Sequence, residues 1–536
     1  MKNAFRAAGV SFSVALGVLL LGSSAFGHAP LPRQHGISHG LRAEPATVFP
    51  TTGRWQALRN RFPGGSPDTA LLLTDGTVFV HDACTSNWYK LKPSGTGSYA
   101  NGAWSAAGSL PAGYTPLYFA SQVLADGRVI MNGGEYNAGC AEAWTTLGAL
   151  YDPVADSWTT VLPPVGWAQI GDSQSAVLSD GTYMLGDCCD AGMNAALAQI
   201  TGTTVTWTAT GAGKADRYDE EGWTNLPDGR LLTVDAWLDG TTNHSRAELY
   251  VPSTGQWQHT GSTIGRIEDP SSLEVGPAVL MANGKVLQIG ANFSGTANAA
   301  SHSSIYNPVT HTWERGPVLP NVGGAFYSAE DAPAALLPSG NVLVQLSPAY
   351  TCLSQGSPTP FCSPSHFWEY DGTKFNQVLD PPNNVASGIA AYESRMLVLP
   401  TGQIYWSSDV GDVAIYTPQG TPADAWRPTI TSVSSTVSRG STNNVVRGTL
   451  FNGLSQGASY GDDAQMSTNY PLVRITNAGT GHVCYARTHD HSRMGISTGG
   501  ATSTKFDVPL SCTVGQSDLE VVANGIPSMP ARIQVN

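Results

Sequence analysis

The sequence predicts an all-β chain, a seven-bladed β-propeller followed by a β-sandwich. Three observations carry that prediction. First, an apolar arm, a short turn and a second apolar arm recur seven times. The turns fall at Asp75, Asp126, Asp180, Asp228, Asn283, Ser339 and Thr401, each followed by glycine. Glycine accepts the positive φ that such hairpin turns need. A strand-built repeat of about 50 to 60 residues points to propeller blades. Second, a tyrosine stands seven residues before a tryptophan in LYDPVADSW, LYVPSTGQW and IYNPVTHTW. Third, the rhythm changes after Pro428 to short β-branched stretches such as LVRIT, VCYART, TKFDVP and LEVVAN, with no further hairpin of the earlier kind.

The chain has 536 residues and a formal net charge of -13. That balance disfavours nucleic acid and anionic membranes as partners, since both reward Lys and Arg. Residues 1–27 read as a secretory signal. Lys2 and Arg6 precede an apolar stretch that runs to Leu21, and Ala25 and Gly27 suit a cleavage site. The expected location is secreted or periplasmic, with no membrane span and a monomeric chain. Residues 28–50 read as a linker, 51–427 as the propeller and 428–536 as the sandwich.

Eight cysteines agree with export. Cys352 with Cys362, Cys484 with Cys512, and Cys84 with Cys140 are the expected pairs. The adjacent Cys188 and Cys189 form a vicinal disulfide, a hard flat ledge, or remain thiols, or pair differently.

The Tyr and Trp of each outer hairpin are expected to pack between blades. The last blade has IYTP at Ile415 and lacks an obvious closing tryptophan. Trp55 from the N-terminus and Trp426 are the candidates. Closure by Trp55 would tie the ring with strands from both its ends and remove its open edges.

Hairpin geometry also predicts a site. If the Asp-Gly turns lie at one end of the propeller, the free ends of each hairpin meet at the other. The residues eight before each turn are Pro67, Tyr118, Asp172, Glu220, Val275, Asp331 and Glu393. Four are acidic, and Pro67 and Val275 adjoin Asp68 and Glu274. Acids make up 40 of 536 residues, so about half of one is expected among seven positions. Converging carboxylates suit a divalent metal or acid/base chemistry, or they accept hydrogen bonds from loop amides. Asp172, Glu220, Asp331, Glu393 and Tyr392 are the catalytic candidates. The loops after the hairpins bring Asp187, Cys188, Cys189, Asp190, Asp235, Trp237, Trp406 and Asp409 to the same end. Tyr118, Trp237, Trp406, Cys188 and Cys189 are the substrate-contact candidates, because aromatic faces beside carboxylates suit sugar rings. In CYARTHDHSRMG, His489 and His491 face one side of a strand at a spacing that can hold a metal.

Seven kelch-like hairpins, a C-terminal immunoglobulin-like sandwich and the phrase SYGDDAQMSTNYPLVRI resemble the galactose oxidase/glyoxal oxidase family over about residues 50 to 536. The resemblance implies one axial copper ion held by two tyrosines and two histidines, with one tyrosine cross-linked to cysteine. The family's Tyr-His pair falls on Tyr392 and Glu393, the cross-linked tyrosine on Asp172, its cysteine on about Tyr118, and the C-terminal histidine on His489. The tryptophan that shields the radical falls near Cys189. A Tyr-Cys cofactor is therefore not expected. The metal set would be Tyr392, Glu393, Asp172, His489 and His491, with copper or, given the carboxylates, calcium as the ion. The functional expectation is a secreted protein that binds and processes carbohydrate in an acidic axial pocket. The alternatives are a metal-dependent oxidase of alcohols or aldehydes, and a non-catalytic binding protein.

Overall fold

The computed structural model describes residues 53–536, apart from 190–191, 238–245, 270–271, 292–300, 350–351, 355–356, 360, 383–385, 387, 462–465 and 497–498. The expected signal and linker, and Asp190, lie outside the described residues. Among the described residues the fold is all-β, with short helical turns that include Ala391–Glu393 and Asp424–Trp426.

Six four-stranded antiparallel sheets have the up-and-down pattern of propeller blades. The first runs Pro67–Leu72, Val78–Asp82, Trp88–Lys92 and Ala103–Ala106. The hairpins at Asp126, Asp180, Asp228 and Asn283 each build another sheet. The hairpin at Thr401 builds Ser394–Val398, Ile404–Ser408 and Val413–Thr417, and the outer strand of that sheet is Arg54–Ala57 from the N-terminal side. Trp55 stands opposite Tyr416. Its ring lies 4.8 Å from that of Tyr416 and 4.9 Å from Phe367. Trp55 thus takes the place that the downstream tryptophan holds in other sheets, where Tyr151 faces Trp158, Tyr250 faces Trp257 and Tyr306 faces Trp313. Trp426 instead covers the Ser339 turn at Gly340. The hairpin at Ser339 belongs to a larger, seven-stranded sheet that contains Ala334–Leu336, Val342–Pro348, His366–Tyr370 and Phe375–Gln377.

The repeated turn is a three-residue loop. At the first one the Gly76 amide donates to the Leu73 carbonyl at 2.9 Å, and the Leu73 amide to Thr77 at 2.8 Å. Glycine alone takes the left-handed conformation, with φ of 77° at Gly76 and 92° at Gly181. The aspartate serves a different purpose. Its carboxylate accepts from the amide two residues on, as Asp75 does from Thr77 at 3.0 Å and Asp180 from Thr182 at 2.9 Å.

The C-terminal part forms a nine-stranded sheet system between Thr429 and Val535. Val446, Phe451, Val473, Ile475, Phe506, Leu519 and Ile533 fill its core. The four disulfides are Cys84–Cys140, Cys188–Cys189, Cys352–Cys362 and Cys484–Cys512. One short strand of this part, Ala458–Ser459, leaves its own system and pairs with Ala334 and Ala335. That pairing carries Tyr460 and Gly461 to the inner edges of the blade sheets.

Candidate functional site: the axial carboxylates

The hairpin turns and the hairpin free ends are well separated. Tyr118 lies eight residues before Asp126, with the strand Ala120–Val123 between them. At the free ends, three of the seven counted positions share an unusual backbone. Tyr118, Glu220 and Asp331 have φ of 50°, 56° and 43°. Non-glycine residues enter this left-handed region at a cost of about 1–3 kcal/mol, and such positions cluster at functional sites.

Carboxylates meet there. Glu220, Glu274 and Asp331 bring one ligand oxygen each to within 4.8 Å of one another. Glu274 and Asp331 are buried and Glu220 is half-buried. Gly461 closes one side. A Cβ at Gly461 would lie 2.0 Å from Asp331 Oδ1, and one at Gly222 would lie 2.4 Å from the Gly461 carbonyl oxygen. Only glycine admits the two segments at this spacing. Beside them, burial and the neighbouring Asp269 push the Glu330 carboxyl well above the ordinary carboxylate range.

Glu393 and Asp409 form a second group. The Asp409 amide donates to the Glu393 carbonyl at 2.9 Å, and the Glu393 carboxylate accepts from the Ala390 amide at 2.6 Å. Burial first, and then the charge of Asp409, push Glu393 up to about 8. Burial first, and then Asp68, push Asp409 up to about 7, although Arg395 pulls the other way. Arg395 is buried and ties several segments together. It pairs with Asp68 at 2.9 Å and donates to the Tyr392 carbonyl at 2.8 Å. Its guanidinium sits 4.0 Å from the Tyr460 ring centroid and 5.6 Å from that of Tyr118. The Tyr460 hydroxyl donates to the Tyr392 carbonyl at 3.0 Å. Tyr392 packs on Phe361 at 4.8 Å, beside the Cys352–Cys362 bridge. Burial and the charge of Glu393 raise its phenol well above the ordinary value.

Asp172 belongs to a third group. Its Oδ1 lies 2.7 Å from Cys188 Sγ and 3.5 Å from Cys189 Sγ. Asp219 Oδ1 approaches the same two sulfurs at 3.7 and 3.2 Å. A fourth group encloses Lys214. Its ammonium contacts Asp216 directly, Asp235 at 2.9 Å, and Glu221 and Glu248 at 3.1 Å each, with all five side chains buried. Burial raises Asp216, Glu221 and Asp235 even so, whereas Lys214 and the Ala215 amide hold Glu248 below its ordinary value against burial.

Several expected site residues lie elsewhere. Trp406 is fully buried, donates to Gln345 at 2.8 Å and packs edge-on to Trp55 and Phe367. It is a core residue, because it lies within the strand Ile404–Ser408, which is buried along its whole length. Trp237 is half-buried with the Arg217 guanidinium 4.4 Å from its ring centroid. His489 and His491 do not join Tyr392, Glu393 or Asp172. The Thr488 amide donates to Thr74 at 3.2 Å and the His491 amide to Ala125 at 2.9 Å, which puts the pair against the first two hairpin turns. His489 stands between Asp490 and Asp507, each at 3.2 Å. His491 bonds Thr504 at 2.8 Å, and burial together with the nearby His489 holds its imidazole down at about 3. A surface cleft lined by Asp75, Lys92, His482, Arg487 and Asp507 opens at this turn end as well, away from the axial acids. Among the described residues of the C-terminal part, Tyr460 reaches the axial end together with Gly461. Its arrival depends on strand pairing across more than a hundred residues, for which the sequence holds no local signal.

No protein-family profile matches the chain, and no curated protein matches it in sequence. Among solved structures it is similar to a fungal alcohol oxidase of the AA5 family in complex with copper. That similarity has a TM-score of 0.49 and 16% identity, over 90% of this chain and 99% of that one. It is also similar to the extracellular domain of a putative hybrid two-component system from B. thetaiotaomicron, with a TM-score of 0.43 and 8% identity, over 90% of this chain and 59% of that one. A chain of a mitotic checkpoint complex gives a TM-score of 0.42 and 12% identity, over 72% of this chain and 98% of that one. At these identities no residue role passes from any of the three to this chain.

Proposed function

We propose that this chain is a secreted, galactose oxidase-like protein with seven blades and a C-terminal sandwich. On this reading the sheet around Ser339 supplies the blade that completes the ring. Its axial pocket binds a hard divalent cation, calcium before copper, and holds a hydroxyl-rich substrate, a carbohydrate, for acid/base processing. The observation that carries the reading is the convergence of Glu220, Glu274 and Asp331 to within 4.8 Å at a buried site. An all-oxygen donor set favours calcium, magnesium or manganese over copper. A cation there would offset the mutual repulsion of the three carboxylates and offer further positions to substrate hydroxyls.

Glu393 and Asp409 supply the proton chemistry. A carboxyl raised to about 8 is largely protonated near neutrality and can donate, while a partner near 7 is partly ionised and can accept. Glycoside hydrolysis uses such a divided pair. The reading includes no Tyr-Cys radical cofactor, because the family resemblance puts the positions of that cross-link on Asp172 and Tyr118.

Turnover of a glycan panel by the mature chain tests the reading. Glu393→Gln and Asp409→Asn should each lower turnover by about a hundredfold or more, with binding retained. Binding without turnover by the unaltered chain would make it a binding protein, and unchanged turnover in both variants would remove the pair from the chemistry. A second reading, a metal-dependent oxidase of alcohols or aldehydes, draws on the gathering of Tyr118, Tyr392 and Tyr460 around Arg395. Peroxide release on those substrates would favour it.

A further inference from the structure

We propose that Cys188, Cys189, Asp172 and Asp219 form a second metal site, for a thiophilic divalent cation such as zinc or cadmium, which exists only when the Cys188–Cys189 disulfide is reduced. The site is independent of the carboxylate triad and does not rest on the function proposed above.

The donor atoms are already gathered. The two sulfurs and Asp172 Oδ1 lie within 4.8 Å of one another. The four sulfur–oxygen distances to Asp172 and Asp219 run from 2.7 to 3.7 Å. Metal–sulfur bonds of about 2.3 Å and metal–oxygen bonds of about 2.0–2.2 Å in a tetrahedron place neighbouring ligand atoms roughly 3.5–3.8 Å apart. To reach that spacing the sulfurs part from each other and Cys188 Sγ draws back from Asp172 Oδ1.

Backbone bonds to neighbouring segments hold the frame whatever the state of the sulfurs. The Cys188 amide donates to Ile170 at 3.0 Å and the Cys189 amide to Tyr218 at 3.1 Å, and the Gln169 side chain donates to the Cys188 carbonyl at 3.1 Å. The segments that place Asp172 and Asp219 are the same ones that hold the cysteines. Cys189 keeps a left-handed backbone, φ 67°, although it has a side chain. It is half-buried, so the sulfur pair can be reached from one side.

The chemistry balances. An external dithiol supplies two electrons and two protons to the sulfur–sulfur bond and leaves as its own disulfide. The two thiols formed lose their protons to solvent as the cation binds both sulfurs. Thiolate ligands select zinc or cadmium over calcium, so the two axial sites sort different ions.

Cadmium titration of the full chain, before and after anaerobic reduction with a dithiol and its removal, tests this through the ultraviolet thiolate-to-cadmium absorption. The band should saturate at one cadmium per chain after reduction and be absent before it. The double variant Cys188→Ser, Cys189→Ser, reduced in the same way, should lose that band and also reports any contribution of the other three disulfides. Asp172→Asn and Asp219→Asn, checked for native fold by near-ultraviolet circular dichroism, should each weaken binding by no less than the roughly tenfold that loss of an outer partner causes. Glu274→Gln should leave the band unchanged, so that this site and the triad are read separately. The proposal is overturned if the reduced chain takes up no cadmium, if the double serine variant keeps the band, or if both aspartate variants bind as the unaltered chain does.

Discussion

The two ends of the blade sheets treat charge in opposite ways. At the turn end, opposite charges meet. His489 lies between Asp490 and Asp507, Arg487 pairs with Asp507 at 3.0 Å, and Lys505 pairs with Asp490 at 2.9 Å. At the axial end, carboxylates face carboxylates in the Glu220–Glu274–Asp331 triad, in Glu393 with Asp409, and around the single ammonium of Lys214. Like charges brought together out of water repel, and they raise one another's pKa unless a cation intervenes. The turn end therefore pairs its charges within the C-terminal sheet system, and the Thr488 and His491 amides join that system to the blades. The axial end keeps an excess of negative charge that a bound cation would relieve.

The largest effect expected from breaking this contrast is at Lys214. Lys214→Met leaves four buried carboxylates without their central ammonium, and removing one partner of a buried ion pair costs about 3–5 kcal/mol. Urea unfolding followed by fluorescence should show that loss. A midpoint like that of the unaltered chain would mean the four acids protonate freely and the cage is not what holds those loops.

Next in size is cation-dependent stability. A divalent ion at one hundred times its dissociation constant should stabilise the chain by about 2.7 kcal/mol, seen as a higher thermal midpoint that a chelator reverses. Asp331→Asn should abolish the rise.

The Glu393–Asp409 pair makes a pH-graded contribution. Glu393 is raised from an ordinary value of 4.5 to about 8 in the folded chain. The unfolded chain therefore releases that proton first, and stability falls as pH rises from about 4.5 to about 8. Asp409, raised from 3.8 to about 7, acts in the same sense over about pH 4 to 7. Glu393→Gln, which cannot ionise, should flatten the upper part of that decline in denaturation series at stepped pH. An equally steep slope in the variant would assign the decline to other acids.

The smallest change is expected at the turn end. His489→Ala should leave the cation response intact in the same thermal assay.

The sequence held the repeat plainly, because each hairpin is local and its turn, Asp-Gly in four of the seven, is specified by two residues. Counting eight residues back from each turn reached Glu220, Asp331 and Glu393 just before inner strands, with Glu274 as a neighbour and Asp409 as a loop residue, but it did not show that the acids fall into separate groups. Ring closure by Trp55 was one of two options, and only the pairing with Tyr416 decides between them. The sequence could not reveal what converges across long separations. Tyr460 arrives through the pairing of Ala458–Ser459 with Ala334 and Ala335, and Lys214 meets Glu248 only after two sheets are built. His489 misled because a His-x-His strand can face a metal at either end of a sheet, and spacing does not say which end.

Calcium titration calorimetry of the mature chain is the most direct test of the axial cation site. One site per chain is expected, lost in Glu274→Gln and unchanged in the His489→Ala, His491→Ala double variant. Calcium binding that survives Glu274→Gln and disappears with the histidines would put the ion at the turn end and contradict the account.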